Sequence, residues 1–395
     1  MNQKTQSSFF TMPATLDNGI KEFIYPQRVI FGREALNGLA NLIKPVAKRV
    51  LVVTHEPGRF TSSGTIEFIQ NKMNDLGIYH EKFSIPNTPT TDLIDKGVKF
   101  ARDNNIDLIL CIGGGSVLDA GKLIAILATN LGPCEDYQLG NSAFKFKPLT
   151  VVAVPTTAGS GSEATAVSVI KNSNHGFIKS ISNPMMMPQI VVLDPALIEA
   201  VPALIAATTG LDAFTHALES FVSPKATQIS RANSLSAASL IYGSLARVVK
   251  GIPTEEDFSN LLVGSYLAGQ ALNAGVGAAH IFAQPITAVL GSSHGLALSF
   301  VLKEVVMYNE NISPNIYDDF ISFIDNDAKL ERIKMSDLIV NFMKEIDLNF
   351  KLSEFSSDEA IPEILDQITL STSHIWTNAC SINMRQLEAI LKKSW

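Results

Sequence analysis

The feature that most constrains this chain is a change of rhythm near its middle. Between residues 49 and 195, short apolar runs alternate with amphipathic stretches. RVLVVTH (49–55), HEKFSI (80–85), IDLILCIG (106–113), LTVVAVPTT (149–157) and IVVLDP (190–195) have strand length, and most are rich in β-branched residues. GTIEFIQNKMNDLG (64–77), TTDLIDKGVKFARDNN (90–105) and SVLDAGKLIAILATN (116–130) carry helical periodicity. Such alternation predicts a mostly parallel sheet with helices on both faces. Beyond about residue 195 the β-branched runs stop. Ala- and Leu-rich segments follow, such as ANSLSAASLIYGSLARVVKG (232–251) and NLLVGSYLAGQALNAG (260–275), and they predict an all-helical half. The boundary is expected between Asp194 and Pro202. That gives an α/β domain over 1–200, with residues 1–20 as an extension, and a helical domain over 201–395.

A length of 395 residues fits two such domains, and 46% apolar against 17% charged residues allows large cores. The net charge of -7 offers no basic surface and argues against a nucleic-acid partner. No apolar run reaches membrane length, and the polar N-terminus lacks a signal-peptide core, so a cytoplasmic protein is expected. Cys111, Cys134 and Cys380 make no disulfide framework and read as small buried thiols.

Two loops interrupt this pattern with chemistry. CIGGGSVLDAGK (111–122) joins a strand to a helix through three glycines. Bare backbone at a helix N-terminus suits a phosphate. Ser116 and Asp119 read as an S-x-x-D capping box. Leu118 stands where the usual dinucleotide fingerprint has its third glycine, so a tight structural turn is an equal reading of this loop alone. PTTAGSGSEAT (155–165) follows the next strand and adds the hydroxyls of Thr156, Thr157, Ser160 and Ser162. Two such loops at neighbouring strand ends suit a cofactor with a pyrophosphate and two sugars.

The helical half holds three histidines in apolar surroundings. In GLDAFTHALESFV (210–222), Asp212 and His216 are one i,i+4 step apart and share a helix face. In GVGAAHIFAQPITAVLGSSHGLAL (275–298), Pro285 and Gly291 are expected to break the helix, leaving His280 and His294 on two segments free to converge. A single histidine in such a setting is ordinarily a core residue. Asp212, His216, His280 and His294 together form a ligand set suited to Fe(II) or Zn(II). His80 and His374 lack ligand-like neighbours, and His175 reads as a turn tip.

In order along the chain, GGGSVLDAGK, PTTAGSGSEAT, GLDAFTHALES and SSHGLAL resemble the signatures of the iron-containing (group III) alcohol dehydrogenases. The resemblance runs from FIYPQRVIFG (23–32) to about residue 310. It implies a dehydroquinate-synthase-like architecture: a dinucleotide-binding α/β domain, a helical metal-binding domain, and NAD or NADP in the cleft with Fe(II), or alternatively Zn(II). It implies metal ligation by Asp212, His216, His280 and His294. Gly113, Gly114, Gly115 and Ser116 are implied at the pyrophosphate, with Asp119 as a further contact. Thr156, Thr157 and Ser162 are implied near the ribose and nicotinamide, and Lys179, on a looser match, beside the cofactor. The implied reaction moves a hydride between the carbon of a small alcohol or aldehyde and the nicotinamide, in a homodimer or larger assembly. A polyol dehydrogenase, a lyase on the same fold and a catalytically silent binder are the rival readings.

Two positions depart from the family pattern. His55 stands where many NAD-using members place an aspartate on the adenosine ribose, which opens the chain to NADP, although Glu56 beside it opposes a 2′-phosphate. Gln284 stands where members often carry a histidine near the substrate. It can orient a substrate oxygen but cannot titrate.

Overall fold

A computed structural model describes residues 23–56, 64–86, 88–325, 332–370 and 377–395. The expected extension over residues 1–20, and His374, lie outside the described residues. The strands are β1 (Arg28–Phe31), β2 (Arg49–His55), β3 (Tyr79–Ile85), β4 (Leu108–Gly113), β5 (Thr150–Pro155), β6 (Val167–Lys171), β7 (Ile178–Ser182) and β8 (Ile190–Leu193). Six of them form one sheet in the order β1-β8-β5-β4-β2-β3, parallel at every pairing. The helices of this half are α1 (Leu39–Ile43), α2 (Thr65–Asp75), α3 (Thr91–Asp103), α4 (Gly115–Thr129) and α5 (Cys134–Leu139).

Side chains alternate across a strand, so each buried run feeds two cores. Val50, Val52, Leu108, Leu110, Ile112, Val152 and Val154 pack on Ile43, Ile69 and Met73 of α1 and α2. Leu51, Val53, Ile109, Cys111, Val151 and Ala153 face the other way, onto Ile94 and Val98 of α3 and Leu123, Ile124 and Leu127 of α4. Each Val, Leu, Ile or Met side chain among them contributes about 1.5–3 kcal/mol on burial. The second core continues into the other half through Leu211, Phe214 and Leu218.

That other half is helical: α6 (Ala203–Val222), α7 (Gln228–Val249), α8 (Glu255–Ala271), α9 (Ala278–Leu290), α10 (His294–Ile312), α11 (Asp318–Ile324), α12 (Met335–Glu345), α13 (Ala360–Leu370) and α14 (Met384–Lys393). Helix α6 is buried on all sides from Gly210 to Phe221, so every polar side chain in that stretch has to be matched inside the protein. None of the described helices is long and apolar enough to cross a membrane. All three cysteines are free and buried, as expected.

Two expectations are corrected. Helix α4 starts at Gly115 with Gly114 as its N-cap and has no side-chain cap. Ser116 therefore sits at the second helical position and Asp119 at the fifth, out of capping register. Pro285 lies inside α9 and does not end it. The helix runs on to a left-handed Gly291, whose N–H donates to the Thr287 carbonyl at 3.0 Å. His175 lies in the turn between β6 and the antiparallel β7, as read from the sequence.

Candidate metal centre and cofactor crevice

Strands β2 and β3 run to one edge of the sheet, and the chain then crosses back to place β4 on the other side of β2. This is a topological switch point, where open parallel sheets leave a crevice beyond their C-terminal ends. His55 ends β2, and Gly113 ends β4. The Gly114 N–H donates to His55 Nε2 at 3.4 Å across that crevice. The second loop leaves β5 alongside, with the Thr156 N–H donating to the Gly113 carbonyl at 3.0 Å. A Cβ on Gly114 would lie 3.2 Å from Thr157 Oγ1, so the two loops are in contact.

A buried charged knot ties these loops together. Asp119 accepts from Ser162 Oγ at 2.5 Å and from the Val169 N–H at 2.9 Å. Lys122 is 1% exposed and lies 3.3 Å from the Asp119 carboxylate. Its ammonium donates to the carbonyls of Ser162 at 2.9 Å and Thr165 at 3.3 Å, and to that of Val167. Glu163 is buried beside it, and burial pushes its carboxyl up to about 7. Asp119 thus joins the two loops. Lys122 and Glu163 belong to this site although the sequence reading gave them no role. Lys179 lies in β7 opposite Ile170, and its carbonyl accepts from Gln138 Nε2 at 3.0 Å.

The same loop reaches the helical half. Gly161 has φ +59°, and a Cβ there would stand 2.6 Å from Gly269 Cα of α8. Gly159 lies against Thr209 of α6, three residues before Asp212. The crevice floor and the acid–histidine cluster are therefore neighbours.

Within that cluster, three imidazoles turn Nε2 toward one oxygen. Asp212 Oδ1 is 3.5 Å from His216 Nε2, 3.4 Å from His280 Nε2 and 3.8 Å from His294 Nε2. A tetrahedral site with bonds of about 2.1 Å has ligand-to-ligand edges of about 3.4 Å. The donor atoms of Asp212, His280 and His294 all lie within 4.8 Å of one another, whereas His216 stands outside that group, its ring stacked on His280 at 4.5 Å between centroids. Asp212 Oδ1 and His280 Nε2 are buried and have no hydrogen-bond partner among the described residues. Two orphaned polar atoms facing each other at ligand spacing are what a cation would satisfy.

The surroundings sort the charges. Burial raises Asp212, but the imidazoles of His216, His294 and His280 outweigh it and hold the carboxyl well below its usual range. Burial pulls His216 down to about 4 and also lowers His294. His280 is the exception: burial lowers it, yet Glu219, then Asp212, push it up to about 9. Glu219, buried on α6, accepts from His280 Nδ1 at 2.6 Å. Sequence reasoning missed it, although Asp212, His216 and Glu219 fall at i, i+4 and i+7, on one helix face. Gln284 lies one turn beyond His280 on α9 and is 9% exposed.

A family model described as iron-containing alcohol dehydrogenase matches residues 26–195. The C-terminal model of the Fe-containing alcohol dehydrogenase family matches residues 206–395. Long-chain-alcohol dehydrogenase 1 of Geobacillus thermodenitrificans is 30% identical over 352 residues, covering 88% of this chain and 86% of the relative. An iron-containing alcohol dehydrogenase from Thermotoga maritima superposes with a TM-score of 0.82 at 26% identity, covering 95% of this chain and 99% of that one. A sulfoacetaldehyde reductase from Bifidobacterium kashiwanohense in complex with NAD+ gives 0.84 at 25% identity, with 95% and 98% coverage.

Proposed function

This chain belongs to the iron-containing alcohol dehydrogenase family, and from that premise we propose where its chemistry sits. It is a metal-dependent, NAD(P)-linked oxidoreductase acting on alcohols and the corresponding aldehydes. The cation is held by Asp212, His216, His280 and His294. The observation that carries this assignment is the convergence of three Nε2 atoms on the buried, unpartnered Asp212 Oδ1. His216, whose Nε2 lies 3.5 Å from that oxygen, completes the set. When bound, the cation polarises the substrate oxygen, and the nicotinamide gives or takes the hydride.

The chain's own residues bind and orient. The backbone of Gly113, Gly114, Gly115 and Ser116 anchors the pyrophosphate at the N-terminus of α4. Thr156, Thr157 and Ser162 line the ribose and nicotinamide side, and Lys179 lies beside the cofactor. Asp119 acts from beneath by holding Ser162. His55, at the ribose end, offers no carboxylate to repel a 2′-phosphate, so NADP(H) is accepted alongside NAD(H). Gln284 donates to the substrate oxygen from the turn after His280. Because an amide cannot titrate, Gln284 would orient that oxygen without carrying its proton.

Residues 1–200 thus serve the cofactor, and residues 201–395 serve the metal and substrate. We place the enzyme in the cytoplasm as a homodimer or larger assembly. Strand β1, at the edge of the sheet among the described residues and with Val29 39% and Phe31 52% exposed, supports self-association. The test is an anaerobic metal assay with a scan of small alcohols, polyols and aldehydes against both cofactors. Turnover that tracks metal content and disappears in His280→Ala supports the assignment. Full metal content and turnover in that variant would overturn it.

A further inference from the structure

Helix α9 carries His280 at its third position, and nothing in its own sequence caps it. The cap comes from two distant elements. Glu219, on α6, accepts the Gly277 N–H on Oε2 at 2.8 Å and the Ala279 N–H on Oε1 at 2.7 Å. Asn378 Oδ1 accepts the intervening Ala278 N–H at 3.1 Å. A Cβ on Gly277 would sit 2.8 Å from Glu219 Oε1, so glycine is what lets the carboxylate come this close. A carboxylate at a helix N-terminus also meets the positive end of the helix dipole.

The same Glu219 Oε2 lies 2.6 Å from His280 Nδ1. A carboxylate held by two backbone N–H donors is an acceptor there, so Nδ1 is the donor and carries the proton. Nε2 faces Asp212 at 3.4 Å. One side chain therefore fixes the position of the turn that bears His280, the rotation of its ring and the nitrogen it presents.

We propose that Glu219 is the positioning residue of the metal centre: it locks α9 to α6 and holds His280 with Nε2 turned to the cation. The proposal rests on the assignment of Asp212, His216, His280 and His294 as ligands. Partners of this kind are worth about 10–100-fold in metal affinity. Asn378 supplies the internal control, because it caps the same helical turn while its hydrogen bonds run to Ala278, Asn309 and Cys380.

The test is competition of the full-length apo-protein with a chelator for Zn(II), and the visible spectrum of the Co(II)-loaded protein. Wild type and His280→Ala come first. Zinc affinity unchanged in His280→Ala removes the ligand assignment itself, and the role of Glu219 with it. If that affinity is lost, Glu219→Gln decides. The expected result is zinc binding weakened at least tenfold, with an altered Co(II) spectrum, while Asn378→Ala stays within about twofold of wild type. Glu219→Gln within twofold of wild type overturns the proposal. So does an equal loss in both variants, because helix capping alone would then explain it. If Glu219→Gln does not fold, the zinc-loaded wild type still decides. A His280 Nδ1 proton resonance downfield of the amides supports the proposal, and its absence overturns it.

Discussion

The two halves of this enzyme solve the same problem with opposite materials. At the strand ends the groups proposed to meet the cofactor are mostly backbone N–H groups, and the side chains of Asp119 and of the buried Lys122 and Glu163 stand behind them as scaffolding. In the helical half the proposed ligands are side chains, Asp212 and three histidines, with Glu219 behind them. The difference teaches where each half is vulnerable. Removing one ligand side chain deletes part of the metal site outright. The cofactor loops lose function only through the frame that shapes them.

The largest effect is expected from Asp212→Asn, which takes the charge from the oxygen on which the three imidazoles converge. Activity should fall by at least about 10³-fold, with the apo-protein still folded and cofactor affinity nearly unchanged. Steady-state kinetics and cofactor titration check both parts. A parallel loss of cofactor affinity would break the contrast between the halves.

Lys122→Met attacks the frame. It takes the ammonium away from the carbonyls of Ser162, Thr165 and Val167 and removes the cation that faces the Asp119 carboxylate. Breaking a buried pair in this way costs about 3–5 kcal/mol. Denaturant unfolding should show that loss, and the KM for cofactor should rise while metal content stays at the wild-type level.

Glu163 gives the frame a pH dependence. Its carboxyl is raised from 4.5 to about 7, so the folded protein keeps a proton that the unfolded chain has released. That contribution to stability is full below about 4.5 and disappears as the pH rises through about 7. Glu163→Gln should remove about 2–3 kcal/mol of this decline, visible as a flatter series of urea midpoints between about pH 5 and pH 8. An unchanged slope would place the pH dependence elsewhere.

The smallest effect sharpens the cofactor side. His55→Asp should raise the preference for NADH over NADPH by about tenfold, read from the two kcat/KM values, and leave metal binding alone.

Much of this was legible in the sequence because period and composition report directly on burial. The apolar runs at 50–53 and 108–112 announced strands covered on both faces, and the sheet buries them so. The glycine loops and the Asp212–His216 step stood out because glycine and a buried carboxylate are costly unless used. Other features depended on partners distant in sequence. The Ser116–Asp119 spacing looked like a cap, but the partners that claim Asp119 are Ser162, Val169 and Lys122. Pro285 looked like a break, yet in place it is tolerated inside α9. Glu219 shared the face of Asp212 and His216, but its function depends on a helix start 58 residues away.

The proposed centre brings four side chains from three helices to one cation. Anomalous diffraction from crystals of iron-loaded protein, recorded on both sides of the iron edge, tests it most directly. The predicted result is a single strong peak within bonding distance of Asp212 Oδ1 and of the Nε2 atoms of His216, His280 and His294. A peak elsewhere, or a cation at this place that His216 or His294 does not touch, would contradict it.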